Sequence, residues 1–309
     1  MADRLRALRS LLRRHPTAVT AAGSLIVAGA IGIALLDKGG EFVSALGAAP
    51  FWILGIAVAL HVFWLVARSE AWSVCIRAAG GRVGRRRLYR ASSVGYLGNI
   101  FNGQFGLAVR IAALRHTAPA DSPKAKVLVA AELPVVVVEV ALAAICSFTL
   151  IGPLGLPWWS PLPALAAVIS IFAALGRVAR HRRHGFWTGL AVLRGLRGRS
   201  RLVALVCLAV VVQILRNWLL LNETGIEASV FDSTALLIGL AVVGLLPVGP
   251  SLGAAAAVLI LGTNGVAAAA AAGALLTATA AVGAVCFASW ALVDRLWPRA
   301  TTAEAPAST

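Results

Sequence analysis

The chain has 309 residues, 60% hydrophobic and only 13% charged, with 28 Lys and Arg against 12 Asp and Glu and a formal net charge of +16. Soluble domains carry about a quarter charged residues, so this composition, with a mean hydropathy of +0.87, excludes an ordinary soluble enzyme and marks an integral membrane protein. The charge does not point to nucleic acid, because the basic residues stand in blocks between apolar runs rather than on an aromatic-interleaved soluble surface; anionic headgroups are the natural partner of that pattern.

In chain order, the basic opening "MADRLRALRSLLRRHP" (residues 1–16) leads into an apolar run, Thr17 to Leu36. That run has the ~20 residues a crossing takes and is too long for the h-region of a signal peptide, so it reads as a retained first span. Further crossings are expected at Phe51 to Arg68, at Lys126 to Ile151 with a kink at Pro134, at Pro161 to Leu175, at Leu202 to Leu221 and at roughly Gly273 to Val293. The expectation is an all-α polytopic membrane protein: a single membrane domain over 17–298, followed by a disordered cytoplasmic tail over 299–309.

Two segments are too broken for simple spans. "GYLGNIFNGQFGLAVRIAALR", Gly95 to Arg115, mixes four glycines, two asparagines, a glutamine and two arginines into an apolar run. Ser233 to Gly265 holds two short apolar stretches meeting at "PVGPSLG". The basic blocks around residues 1–16, 68–90, 124 and 176–201 alternate with the acidic or uncharged loops "DKGGEF", "GPLGLPWWSPLP" and "NETGIEASVFD". Basic loops stay inside, so both termini, Arg85 and Arg183 are expected in the cytoplasm and Glu41 and Glu227 outside. Trp158 and Trp159 then fall in the outer aromatic belt. The first odd segment, about 91–115, must enter from the inside and return there; the second, about 233–265, must do the same from outside. They read as two opposed re-entrant helical hairpins, although two full spans in each would preserve the same parity. Irregular backbone at membrane depth survives where protein buries it or where it lines a wet cavity, the arrangement transporters use for midplane sites.

The order of these pieces resembles the transmembrane region of lysylphosphatidylglycerol synthases and its stand-alone, flippase-like relatives. Three segments carry the resemblance. "RSEAWSVCIRAAGG" is similar to the family's Arg/Trp segment before the first hairpin. "GNIFNGQFGLAVR" is similar to its Asn-x-x-Pro-x-x-x-Gly-Glu-x-x-Arg signature, with Asn99, Gly106 and Arg110 in place. "LPVGPSLGAAAA" is similar to its Pro…Gly-Leu-Gly-x-x-Glu turn. The departures are Asn102 at the proline position, and Leu107 and Ala256 where the family has glutamates. The resemblance implies a lipid-handling membrane domain, in some members moving a lipid between leaflets. No aminoacyl-transfer domain of the synthase kind is expected on this chain.

The candidate lipid or substrate residues are Asn99, Asn102, Gln104, Arg110, Glu132, Glu139 and Arg216. The amides and Arg110 are expected to line a water-accessible cavity, because amides at membrane depth are costly unless hydrogen-bonded. Arg110 offers a bidentate fork for a phosphate, or else anchors the hairpin's exit together with Arg115. Glu132 and Glu139 lie two helical turns apart on one face; an intramembrane carboxylate faces a partner or a cavity, and Glu139 is read as a proton carrier, as the partner of Arg110 or Arg216, or equally as a member of a structural ion pair or a permanently protonated carboxyl. Arg216, close to the outer end of its helix, reads as snorkelling to the outer headgroups or as an outer counterpart of Arg110. His61 reads as a hydrogen-bonded packing residue. Pro247, Gly249, Pro250 and Gly253 are placed in the tight turn of the second hairpin. "GPSLG" formally matches Gly-x-Ser-x-Gly, but it joins two helices and lacks the strand–turn–helix context of a hydrolase elbow. Cys75, Cys146, Cys207 and Cys286 are too scattered for a disulfide framework or a metal cluster. The expected function is therefore a non-enzymatic plasma-membrane protein that binds or translocates an anionic or polyprenyl-linked lipid, without cofactor, metal or nucleic acid. The other reading is a catalytically silent membrane partner of an envelope enzyme or exporter.

Overall fold

The computed structural model describes residues 35–101, 103–181, 184–243, 252–262 and 265–296, together with positions 29, 32 and 33. Among them every regular element is helical. Five helices are long and apolar enough to cross a membrane: α2 (Phe51–Ala78), α5 (Ala125–Cys146, continued by helical turns to Leu154), α6 (Pro161–His181), α7 (Leu196–Glu223) and α10 (Val266–Leu296). They match the five expected crossings from Phe51 onward; the first expected crossing, Thr17 to Leu36, lies almost wholly outside the described residues. Before α2, a short helix α1 (Gly39–Ala48) lies against α10.

The remaining helices form two pairs. In the first, α3 (Arg85–Phe101) and α4 (Gly103–Thr117) fold back on each other. Small residues permit the close approach. A Cβ on Gly95 would meet the Arg110 Cβ at 2.5 Å and the Gly106 carbonyl at 2.9 Å, and one on Gly98 would meet the Gly106 Cα at 2.9 Å. Both ends of this pair stay at one end of the bundle: Arg87, in the first turn of α3, pairs with Asp121, just past α4, at 3.0 Å. In the second pair, α8 (Val230–Val243) and α9 (Leu252–Leu261) hold 14 and 10 residues, about 21 and 15 Å of helix, too short to cross ~30 Å of hydrocarbon. The flanking Ile226 and Ala228, before α8, and Leu261, at the end of α9, share one apolar cluster with Ile53 and Ala269 at the opposite end of the bundle. Two helical hairpins thus dip in from opposite ends.

The ends of the bundle differ in charge. Asp294, near the end of α10, accepts Arg90 at 2.7 Å, with Arg86 at 3.9 Å, and Glu70 receives Arg85 at 3.2 Å. At the other end lie Glu41, Glu223, Glu227 and Asp232. The alanines Ala267, Ala269, Ala270, Ala271 and Ala272 are buried on α10, as expected of a close-packing stretch.

One expectation needs correction. The second crossing does not end at Arg68: α2 runs ten residues further, to Ala78, before Gly80 (φ +89°) turns the chain. Nothing in "RSEAWSVCIR" breaks a helix, and its apolar side packs on the hairpin, so Arg68 stands inside the bundle rather than opening a cytoplasmic loop. The basic connection after α6 has structure of its own. Gly185–Arg194 forms a 3-10 segment with Gly189, Leu190 and Val192 buried. A Cβ on Gly189 would meet Ala130 of α5 at 2.5 Å, so this segment leans directly on the helix that carries the buried glutamates.

Candidate functional site

Packing of α2, the α3–α4 hairpin and α5 brings four ionisable side chains together. Arg110, in α4, is 4% exposed and Glu132, in α5, 8%. The Arg110 Nη2 donates to Glu132 Oε2 in a buried ion pair. Arg68 Nη2 donates to the other oxygen of Glu132 at 3.2 Å, and its Nη1 pairs with Glu139 at 2.9 Å. The order Arg110–Glu132–Arg68–Glu139 alternates in sign and sums to zero, the condition for holding charge away from water. The pair at Arg68 and Glu139 is the more open end, with about a fifth and a quarter of each side chain exposed.

Aromatic rings hold the array in place. The Arg110 guanidinium carbon sits 4.0 Å from the centroid of Trp72 and 6.0 Å from that of Tyr96; Arg68 sits 5.7 Å from Trp64. Trp64, Arg68 and Trp72 recur at helical spacing along one side of α2, so the helix presents a stripe of rings and charge to the hairpin. The Tyr96 hydroxyl lies 3.4 Å from both the Ser69 hydroxyl and the Leu65 carbonyl, and its ring packs on Phe287 of α10. Nearer the basic end, Tyr89 donates to Glu70 at 2.5 Å; burial first, and then that hydrogen bond, push the Tyr89 hydroxyl up to about 12.

A second buried arginine lies elsewhere. Arg216 of α7 is 4% exposed; its Nη2 donates to the Leu276 carbonyl and, at 2.6 Å, to the Thr279 hydroxyl, both on α10. Gln213 accepts from Nη1 at 3.4 Å.

The sequence-level candidates therefore separate. Glu132 and Glu139 do share a face, but Glu139 pairs with Arg68, not with Arg110 or Arg216. Arg110 is enclosed by Trp72 and Glu132 rather than lining an open cavity, and it does not exit the hairpin with Arg115, which is exposed. Arg216 does not snorkel to the surface: its helix faces α2 and α10, and it bonds inward. Asn99 is exposed near Gly106 on the facing arm, where a Cβ would collide with its Oδ1. Asn102 and the side chain of Gln104 lie outside the described residues, as do Pro247, Gly249, Pro250 and Ser251. Gly253 belongs not to the turn but to α9, where it packs on Gly273 and Thr277 of α10. His61 is buried with its ring against Gly283, but it is not the hydrogen-bonded packing residue expected: its Nδ1 has no partner among the described residues.

Arg68 and Tyr96 were missed from sequence. A signal for Arg68 existed: two carboxylates inside one crossing call for two cations, and Arg110 supplies one. The other basic residue at membrane depth on the same half of the chain is Arg68, at the end of an apolar run.

The family model described as "Lysylphosphatidylglycerol synthase TM region" matches residues 20–289. No curated protein and no solved structure matches the chain. The match takes in all five long helices, apart from the last turns of α10, and both hairpins. It includes the Asn99–Arg110 segment that builds the buried array and the two positions, Leu107 and Ala256, at which this chain is apolar; Ala256 is fully buried among α8, α9 and α10. By that match, and by the opposed helical hairpins it spans, the chain belongs to the family of the lysylphosphatidylglycerol synthase transmembrane region.

Proposed function

We propose that this multi-pass membrane protein binds an anionic or polyprenyl-linked lipid of the plasma membrane at the Arg68–Arg110 array and passes its headgroup between leaflets, without itself being an enzyme. The observation that carries this reading is the graded exposure of the array. Arg68 and Glu139 reach the surface of the bundle, whereas Arg110 and Glu132 are closed off beneath them. A phosphate oxygen matches an arginine fork as a carboxylate does. A headgroup arriving at Arg68 would replace Glu139, and further entry would replace Glu132 on Arg110, so the charge on each arginine is always met. Short, opposed helical hairpins are how transporters build midplane sites.

Native mass spectrometry of gently purified protein tests this. A single anionic lipid class should be retained, and Arg68→Ala should weaken its retention roughly tenfold, the worth of one charge-assisted contact. Arg68→Lys should recover only part of it, since a point charge replaces a fork. Retention indifferent to position 68 would defeat the proposal.

A second reading, a catalytically silent partner of another envelope protein, draws on the same array. Both arginines already have carboxylates, and Leu107 and Ala256 stand where relatives carry further ones. A protein that co-purifies in fixed stoichiometry, with no lipid bound, would favour it.

In the orientation we infer, the basic end of the bundle and both termini face the cytoplasm, since basic loops resist translocation. In a cysteine-free background, an impermeant thiol reagent added to intact cells should label a cysteine placed at position 227 and leave one at position 85 untouched. The opposite pattern would invert the bundle.

A further inference from the structure

Arg216 differs from Arg68 and Arg110 in having no carboxylate among the described residues. Among the described residues no Asp or Glu pairs with it; its hydrogen bonds go to a backbone carbonyl, a hydroxyl and an amide oxygen, all neutral. Its Nε–H has no partner. Two more buried side chains on α7 and α2 are also unsatisfied among the described residues. The Asn217 amide nitrogen, on the next residue of α7, is unpartnered at 1% exposure, and His61 Nδ1 on α2 is unpartnered at 6%. Arg216 and His61 meet the same helix, α10, at Thr279 and Gly283, one turn apart. Arg216 Nε–H and the Asn217 NH2 can only donate, and neutral His61 donates from Nδ1 in one of its tautomers. What these groups lack is an acceptor carrying negative charge.

We propose that Arg216 anchors a second anion site, separate from the Arg68–Arg110 array, which takes a phosphate-type anion between α2, α7 and α10. A buried guanidinium without a counter-charge is strongly disfavoured, and intramembrane arginines that persist face a partner or a pathway. An anion bound beside Nε supplies the missing charge and gives the orphaned Nε–H, with His61 one turn away along α10, an acceptor. The site lies about 20 Å along α10 from its first residue, near the middle of a 31-residue helix. The described start of α9 packs on the same helix, at Gly273 and Thr277, two residues from Thr279. The chemistry fits either the phosphodiester of a lipid headgroup or free phosphate, and the proposal does not depend on what the Arg110 array binds.

The test uses purified full-length protein in neutral detergent, with thermal unfolding as the readout, because an anion that binds only the native state raises the midpoint. One arm titrates sodium phosphate against sodium gluconate at constant ionic strength; the other adds phosphatidylglycerol against phosphatidylcholine in mixed micelles. At least one anionic probe should raise the midpoint of the wild type. Arg216→Gln should abolish the part of that rise that persists in an Arg68→Ala background, where the entry to the first array is gone, which separates the two sites. A response to phosphatidylglycerol alone identifies a headgroup, and a response to phosphate identifies the free ion. If Arg216→Gln does not fold, His61→Ala decides: it removes one donor and leaves the charge, and it should raise the half-maximal probe concentration several-fold. No response to either probe, or a response that these substitutions leave unchanged, overturns the site.

Discussion

Glu132→Ala is expected to lower the stability of the protein in detergent by about 3–5 kcal/mol, the range for a buried ion pair that loses one member. The size follows from what remains. Arg110, 4% exposed beside Trp72, would keep its charge with no carboxylate within reach, while Arg68 would fall back on Glu139 alone. Glu132→Gln should cost less, because the amide oxygen still accepts a hydrogen bond from one arginine. The double variant Glu132→Met, Arg110→Met should recover much of the loss, since an apolar pair of similar volume is often as stable as the ion pair it replaces. Equilibrium unfolding of the three variants measures this. A Glu132→Ala protein within about 1 kcal/mol of wild type would mean that the array is wet and weakly coupled.

Gly273→Leu should be nearly as damaging, at about 3 kcal/mol, the upper part of the range for overpacking. A Cβ at this position would run into the Gly253 carbonyl oxygen and come within 2.5 Å of the Ala254 Cα. These are backbone atoms of α9 and cannot rotate away, so the second hairpin would have to lift off α10. Gly55→Ala in α2 is the matched control: nothing lies within 4 Å of its added methyl, and the change should be neutral or slightly stabilising in a helix. Thermal unfolding of both, with proteolysis reporting on the hairpin, gives the comparison. Equal midpoints for the two variants would sink the claim that α9 is clamped to α10 at this glycine.

Much of the candidate site was legible without coordinates, but unevenly. Arg110 stood out because an arginine in a glycine-rich apolar hairpin has no cheap place to go, and Glu132 and Glu139 because two turns of helix put them on one face. Arg68 was hidden by the habit of ending a crossing at its first charged residue. α2 carries ten more helical residues beyond it, and most of them are buried in a core shared with the first hairpin, α5 and α7. For Arg216 the sequence favours the wrong surface: a residue close to the outer end of a helix can reach headgroups, and only the position of Thr279 on α10 shows that it turns inward.

By itself, the sequence determined that this is a helical membrane protein, where its five later crossings lie, and that two segments are too broken to be simple spans. Those properties are local. They depend on how many consecutive residues tolerate hydrocarbon and on where glycine and proline interrupt them, and each can be read within a window of some twenty residues. Only the tertiary structure decided which charges neutralise each other. Arg68, Arg110, Glu132 and Glu139 come from three separate parts of the chain, and helix periodicity constrains the face each occupies but not the helix that face will meet. Pairing across helices is set by rotation and packing, which depend on glycines such as Gly95, Gly106 and Gly273 letting backbones approach within a few ångströms.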